Sequence, residues 1–213
     1  VNNSFDPEPY TTVYTCSQDG GITWSPLARL EHQGWLFWKP KTIDGETWYV
    51  AAYWHEHGKS ALFSSTDGVH WQFISTIYDQ GHRNDETDIE FLPDGRALVS
   101  QRDRGLLTLA DFRSGAKTDI EGLPKLVVWS DAGVHDIELH PEYAKNGWIY
   151  LAYTEGEQVH STAVLDRFRL EGDKAVDVQR SFTADAYAEE PYHFAARIQF
   201  VDGRHRQHRV ARS

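Results

Sequence analysis

The residues of this chain best equipped for chemistry are acids, cations and imidazoles that recur in one register. Asp88-Ile89-Glu90-Phe91-Leu92-Pro93-Asp94-Gly95 is echoed by Asp136-Ile137-Glu138-Leu139-His140-Pro141-Glu142 and, more faintly, by Arg197-Ile198-Gln199-Phe200-Val201-Asp202-Gly203. Lys39 to Gly45 reads as a fourth copy. Alignment of the copies makes Lys39, Asp88, Asp136 and Arg197 equivalent, with Glu86 two residues earlier and Trp35 and His193 four earlier. Side chains alternate along a strand, so one parity of these positions shares an orientation. Around a common axis, Glu86, Asp88, Asp131, His135, Asp136 and His193 offer oxygen and imidazole ligands for a divalent ion, calcium or zinc. Such an ion would acidify a bound water and polarise a phosphoryl or carbonyl oxygen. The same carboxylates, with Lys39 and Arg197, form a neutralising network that needs no metal. His55-Glu56-His57 and His82 make a second histidine-rich region, at an expected turn between strands.

The elements that must carry these groups read as strands. Segments such as Thr47–Trp54, Ala61–Ser65, Gln72–Tyr78, Ala97–Arg102, Val134–His140, Leu126–Trp129 and Ala163–Leu170 alternate with Gly, Pro and Asp turns. Sustained helical periodicity is missing; Pro141–Asn146 reads as one helical turn. The repeat spacing of about fifty residues suits four-stranded blades. Three complete sets of four strands start near Gly34, Glu86 and Val134, and a fourth starts near His193. The segment Thr12–Leu30 supplies the two strands that the last set lacks. The expected fold is therefore all-β, a β-propeller of four blades closed by pairing of the N- and C-terminal segments, in one domain. A monomer is expected; the alternative is an open half-ring that dimerises to cover its inner edges.

Two turns share a local design. In Ser17-Gln18-Asp19-Gly20-Gly21-Ile22-Thr23-Trp24 and Ser65-Thr66-Asp67-Gly68-Val69-His70-Trp71, an Asp can accept hydrogen bonds from the turn amides. Gly supplies left-handed positions, and the closing Trp is expected to pack back under the hairpin.

Composition narrows the function classes. The 213 residues carry a formal net charge of −11, which argues against a nucleic-acid partner. A lone Cys16 excludes an intrachain disulfide framework and a cysteine-based zinc site, and is expected to be a buried strand thiol. No apolar run reaches membrane-spanning length, so no membrane partner is expected. The chain opens at Val1 rather than Met with no visible signal peptide, and removal of a leader or tag is the expectation.

On those two turns, the first half, about 12–104, resembles sialidase-like β-propellers with Asp-box (BNR) repeats. Asn84-Asp85-Glu86-Thr87-Asp88 leading to Arg102 is similar to the sialidase segment that holds the glutamate partner of the tyrosine nucleophile and a carboxylate-gripping arginine. The resemblance thus implies catalytic roles for Glu86 and Arg102: a carboxylate can take a phenolic proton, and a guanidinium grips a carboxylate bidentately. The second half, about 91–203, resembles soluble pyrroloquinoline-quinone sugar dehydrogenases. That rests on Gly133-Val134-His135-Asp136-Ile137-Glu138-Leu139-His140-Pro141, Ile149-Tyr150-Leu151-Ala152-Tyr153 and His193-Phe194-Ala195-Ala196-Arg197-Ile198-Gln199-Phe200. The family's catalytic base falls on His193, while its Gly pair is replaced by Ala195-Ala196 and a substrate-side Gln by Asp131. These departures, with downstream cofactor and calcium residues not found, argue against pyrroloquinoline quinone. The chain looks like a fusion of two propeller fragments with an atypical basic tail over 204–213.

The leading expectation is a hydrolase-type propeller with a polar, metal-assisted axial site for small sialoside, phosphoester or lactone-like substrates. In it His193, Glu86 and Arg102 are catalytic, Lys39, Arg197 and Trp35 bind substrate, and Asp88, Asp131, His135 and Asp136 hold metal. One alternative is a non-catalytic glycan-binding propeller, in which Trp35, Trp38, Trp48 and Trp54 stack on sugars. The other is a remnant sugar dehydrogenase. The parental families imply a periplasmic or secreted protein.

Overall fold

A computed structural model describes residues 10–189 and 194–200 of the chain. It divides into two units, Val1–Asp85 and Glu86–Ser213.

In the first unit, β1 (Val13–Tyr14) and β2 (Ala28–Arg29) pair with each other in a two-stranded sheet among the described residues. The remaining strands are β3 (Leu36–Phe37), β4 (Lys41–Thr42), β5 (Trp48–Trp54), β6 (Lys59–Ser65) and β7 (Gln72–Asp79). Both β3 and β4 pair with β5, as Phe37 with Ala52 and Lys41 with Tyr49. They are one inner strand interrupted at Lys39-Pro40, where proline has no N–H to give the ladder. The result is an antiparallel meander of four strands. Its middle strands bury Val50, Ala51, Ala52, Ala61, Leu62 and Phe63 on both faces, which small and β-compatible side chains allow.

The second unit holds two further four-stranded meanders. One is β8 (Asp88–Phe91), β9 (Ala97–Gln101), β10 (Leu106–Asp111) and β11 (Ala116–Asp119). The other is β12 (Val134–Leu139), β13 (Ile149–Glu157), β14 (His160–Glu171) and β15 (Lys174–Thr183), with the single helical turn α1 (Tyr143–Asn146) between β12 and β13. The two sheets share a core that includes Leu98, Leu107, Ile137, Ile149, Leu151, Tyr153 and Phe168. A parallel bridge between Glu121 and Lys174 ties the outer strands side by side, with Glu121 N donating to Asp173 O over 3.0 Å and Ala175 N to Glu121 O over 2.8 Å.

The all-β propeller-type architecture is as expected, and the three complete strand sets begin where the repeat placed them. Three details differ. Leu126–Trp129 forms no strand; Val127 N instead donates to Thr154 O over 3.0 Å. Phe194–Phe200 enters no strand, and Ile198 packs on Tyr150, Ala152 and Leu165. Cys16 is exposed rather than buried, because β1 ends at Tyr14 and the chain has already entered the hairpin arm.

Both hairpin turns have the geometry read from their residues. Asp67 Oδ1 accepts from Val69 N and His70 N at 2.8 and 2.7 Å, and Trp71 Nε1 donates to Gly68 O over 3.1 Å. Asp19 Oδ1 accepts from Ile22 N and Thr23 N at 3.0 and 2.9 Å, and Trp24 Nε1 donates to Gly21 O over 3.0 Å. Their settings diverge: Trp71 is 8% exposed against Phe37, whereas Trp24 is 61% exposed. Trp71→Ala should therefore cost about 3–5 kcal/mol in urea unfolding, and Trp24→Ala no more than about 0.5 kcal/mol.

Thr23, through its hydroxyl and its amide, and Ser17 hold the Asp19 carboxyl down from 3.8 to about 2. Its folded value is depressed, so its contribution to stability is complete above the unfolded value and disappears as pH falls toward 2. An Asp19→Asn chain should show a flatter acid limb between pH 4 and 2, roughly the window set by that shift, when thermal midpoints are compared.

Candidate functional site

The polar residues singled out by sequence gather most densely where β8 and β12 begin. β9 ends at Gln101 and closes to β10 through a 3-10 turn, Arg102–Arg104, terminated by Gly105 in the left-handed region at φ 61°. The turn brings Arg102 back against the segment preceding β8. Its guanidinium, 6% exposed, meets Glu86 Oε2 at 2.6 Å and Asp103 Oδ1 at 3.5 Å. Glu86 holds a left-handed backbone, φ 51°, which a non-glycine residue adopts at a cost. Gly133 precedes β12, and a Cβ there would lie 2.4 Å from Arg102 O. Only glycine lets the start of β12 approach that carbonyl.

His135, the second residue of β12, shares a hydrogen bond with Thr154 Oγ1 at 2.7 Å, and the Phe194 ring stacks on it at 6.1 Å. Burial first, and then the Arg102 cation, bring its pKa down to about 4, against smaller opposite effects of Asp131 and Asp136. The imidazole is therefore neutral at ordinary pH.

The carboxylates assigned to metal do other work. Asp88 Oδ1 accepts from Ile89 N at 2.8 Å. Asp136 Oδ1 accepts from Ile137 N at 3.1 Å, and its Oδ2 from Ile198 N at 2.6 Å. Both acids are buried and serve backbone amides. Among the described residues no group of three or more His, Cys, Asp or Glu could hold a metal ion. Within the expected set, Asp88 and Asp136 each accept from backbone amides, and His135 shares its hydrogen bond with Thr154.

The other expected residues scatter. Trp35 packs edge-on against Phe63 at 5.3 Å and Trp54 at 5.6 Å, against the first unit's aromatic core. Lys39 is half-buried at the interruption between β3 and β4, and Arg197 is exposed beside Ile198. His193 lies outside the described residues. In the first unit, His55-Glu56-His57 forms a second 3-10 turn capped by a left-handed Gly58. His55 Nδ1 meets Asp85 Oδ2 at 2.8 Å, and Arg83 meets the same oxygen at 3.3 Å.

Sequence reasoning missed Asp103, Thr154 and Gly133. The signal was there for Asp103: His55-Glu56-His57-Gly58 and Arg102-Asp103-Arg104-Gly105 share a pattern of an acid followed two residues later by glycine.

Residues 83–205 match the glucose/sorbosone dehydrogenase family model, more than half of the chain. The chain belongs to the glucose/sorbosone dehydrogenase family. A curated relative, an uncharacterized protein of Synechocystis sp., is 26% identical over 118 residues, which are 52% of this chain and 29% of that protein. The soluble aldose sugar dehydrogenase of Escherichia coli, solved in its apo form, is similar at 27% identity with a TM-score of 0.50, covering 54% of this chain and 34% of that one. The pyrroloquinoline-quinone-bound aldose sugar dehydrogenase of Streptomyces coelicolor matches at 25% identity and a TM-score of 0.40, covering 45% of this chain and 29% of that one. The chain thus spans about a third or less of these relatives. Membership favours the sugar-dehydrogenase alternative over the hydrolase expectation, and nothing in these comparisons supports sialidase kinship for the first half.

Among the described residues, Arg102 is held by two carboxylates rather than open to an anionic quinone.

Removing the cation isolates its effect on the imidazole. In Arg102→Met the His135 pKa should rise from about 4 yet stay below its ordinary value, because the larger effect of burial remains, read by NMR titration of the ring protons. Asp136→Ala strips the acceptor from a buried amide and should cost about 1–3 kcal/mol, with faster hydrogen exchange at Ile198.

Proposed function

We propose that this chain is a remnant sugar dehydrogenase: a propeller that presents an aldose-facing polar mouth without supporting quinone-dependent turnover. The observation that carries this reading is Arg102, buried and already neutralised by Glu86 and Asp103, in the family-matched part of the chain. A neutral imidazole at His135 and a carboxylate at Asp131, in place of the amide the resemblance expects, complete the surroundings. Such a mouth offers hydrogen-bond donors and acceptors to hydroxyls. Its Arg102 is already committed to Glu86 and Asp103 rather than open to a ligand carboxylate, which favours a neutral aldose over a sugar acid.

The test is calorimetric and kinetic on the full chain. D-Glucose should bind saturably, and Arg102→Met should weaken that binding about tenfold, roughly 1.4 kcal/mol. Addition of pyrroloquinoline quinone and calcium should give no reduction of an electron-accepting dye. Dye-linked glucose oxidation would show a live dehydrogenase and overturn the remnant reading; lack of any saturable sugar binding would overturn the mouth itself.

A further inference from the structure

The ends of the inner strands opposite the Arg102 cluster carry a second concavity. It has a volume of about 470 Å³ and lies in the second unit, between the turn after β8, helix α1 and the turn after β14. Its floor is apolar: Leu92 belongs to the shared core, and Leu170 and Tyr143 pack against that core. Its rim is polar. Arg96 grips Asp94 Oδ2 through Nε at 2.8 Å and through a terminal nitrogen at 2.6 Å, while Lys145 pairs with Glu142 at 2.6 Å. The rim charges therefore cancel pairwise.

A ligand suited to this dish needs one flat apolar face for the Tyr143–Leu170 floor and an edge of neutral hydrogen-bonding groups for the rim. A carboxylate or phosphate would meet Asp94, and an ammonium group would meet Arg96 and Lys145. Pyranose rings have the required amphipathy, since their C–H faces are apolar and their edges carry hydroxyls. The volume falls within the range of small-molecule sites. Burial, and next the Asp94 charge, raise the Tyr143 hydroxyl above its ordinary pKa, so it remains a donor throughout the neutral range.

We infer that this dish is a second carbohydrate subsite, for a neutral pyranose, separate from the Arg102 mouth. It stands on its own geometry and does not rest on the remnant-dehydrogenase reading. The two are told apart by where a sugar acts. D-Glucose added to the ¹⁵N-labelled full chain should shift the amides of Gly147 and Gly172 in a saturable way. Gly133 and His135 report on the mouth.

Two variants sharpen the test. Tyr143→Ala removes the aromatic floor, and Ala144→Trp, at an exposed lining position, fills the dish without deleting a contact. Each should abolish the shifts at Gly147 and Gly172 and leave those at Gly133 and His135 intact. Circular dichroism should show a native fold in Ala144→Trp. Unchanged shifts in Ala144→Trp, or none at Gly147 and Gly172 in the unmodified chain, would overturn the subsite whatever happens at the mouth.

Discussion

A buried carboxylate serving two backbone amides is the interaction on which the second unit's site depends. Asp136, 3% exposed, takes Ile137 N on one oxygen and Ile198 N on the other. An unpaired buried anion costs several kcal/mol, and amide donors are what make it tolerable there. The exchange is reciprocal. Phe194–Phe200 has no strand ladder, so the carboxylate gives it a fixed attachment beside β12. That attachment seats Ile198 on Tyr150, Ala152 and Leu165 and brings the Phe194 ring over His135. The neutral imidazole, the Thr154 hydroxyl and Arg102 then form one enclosed neighbourhood. Its electrostatics follow from a packing decision made at Asp136.

The same backbone device appears twice with different chemistry. The 3-10 turns at His55–His57 and Arg102–Arg104 both end in a left-handed glycine, and both aim their first residue at an acid. In the first unit the pair is His55 with Asp85; in the second it is Arg102 with Glu86. Histidine pairs electrostatically only when protonated, whereas arginine is always charged. One turn geometry therefore carries a histidine–carboxylate contact in one sheet and a permanent ion pair in another.

What could be read from the residues was what is decided locally. Ser65-Thr66-Asp67-Gly68 and its partner contain their own donors and acceptors, so the turns follow from sequence alone. The Asp88 and Asp136 repeat located β8 and β12 because strand starts and proline-bearing turns are also local. Burial was not local: Trp24 and Trp71 occupy equivalent places in matching motifs, yet only Trp71 finds Phe37 and Phe63 around it. The partners of the repeated Asp were not legible for a similar reason. Asp136 takes the amide of Ile198, 62 residues away, and that contact leaves no pattern in the chain. Glu86 and Arg102 were paired by a resemblance that the comparisons do not support, yet the contact is there. A carboxylate beside a strand start and a cation at the end of the paired strand meet whichever family the chain belongs to.

Magnitudes explain why the mouth keeps its internal ion pair. Stripping a partner from a buried guanidinium costs about 3–5 kcal/mol. A left-handed conformation at a residue such as Glu86 costs roughly 1–2 kcal/mol. The strain is the smaller quantity, so the chain accepts φ 51° to hold the carboxylate against Arg102. Glu86 keeps about a third of its side chain exposed, which discounts the pair, though the arginine end remains enclosed. A ligand carboxylate would have to displace Glu86 and also face Asp103, whereas a hydroxyl can hydrogen-bond to the existing pair without breaking it. The preference for neutral ligands that we propose thus follows from burying Arg102, and only a change that leaves it unpaired would reverse it.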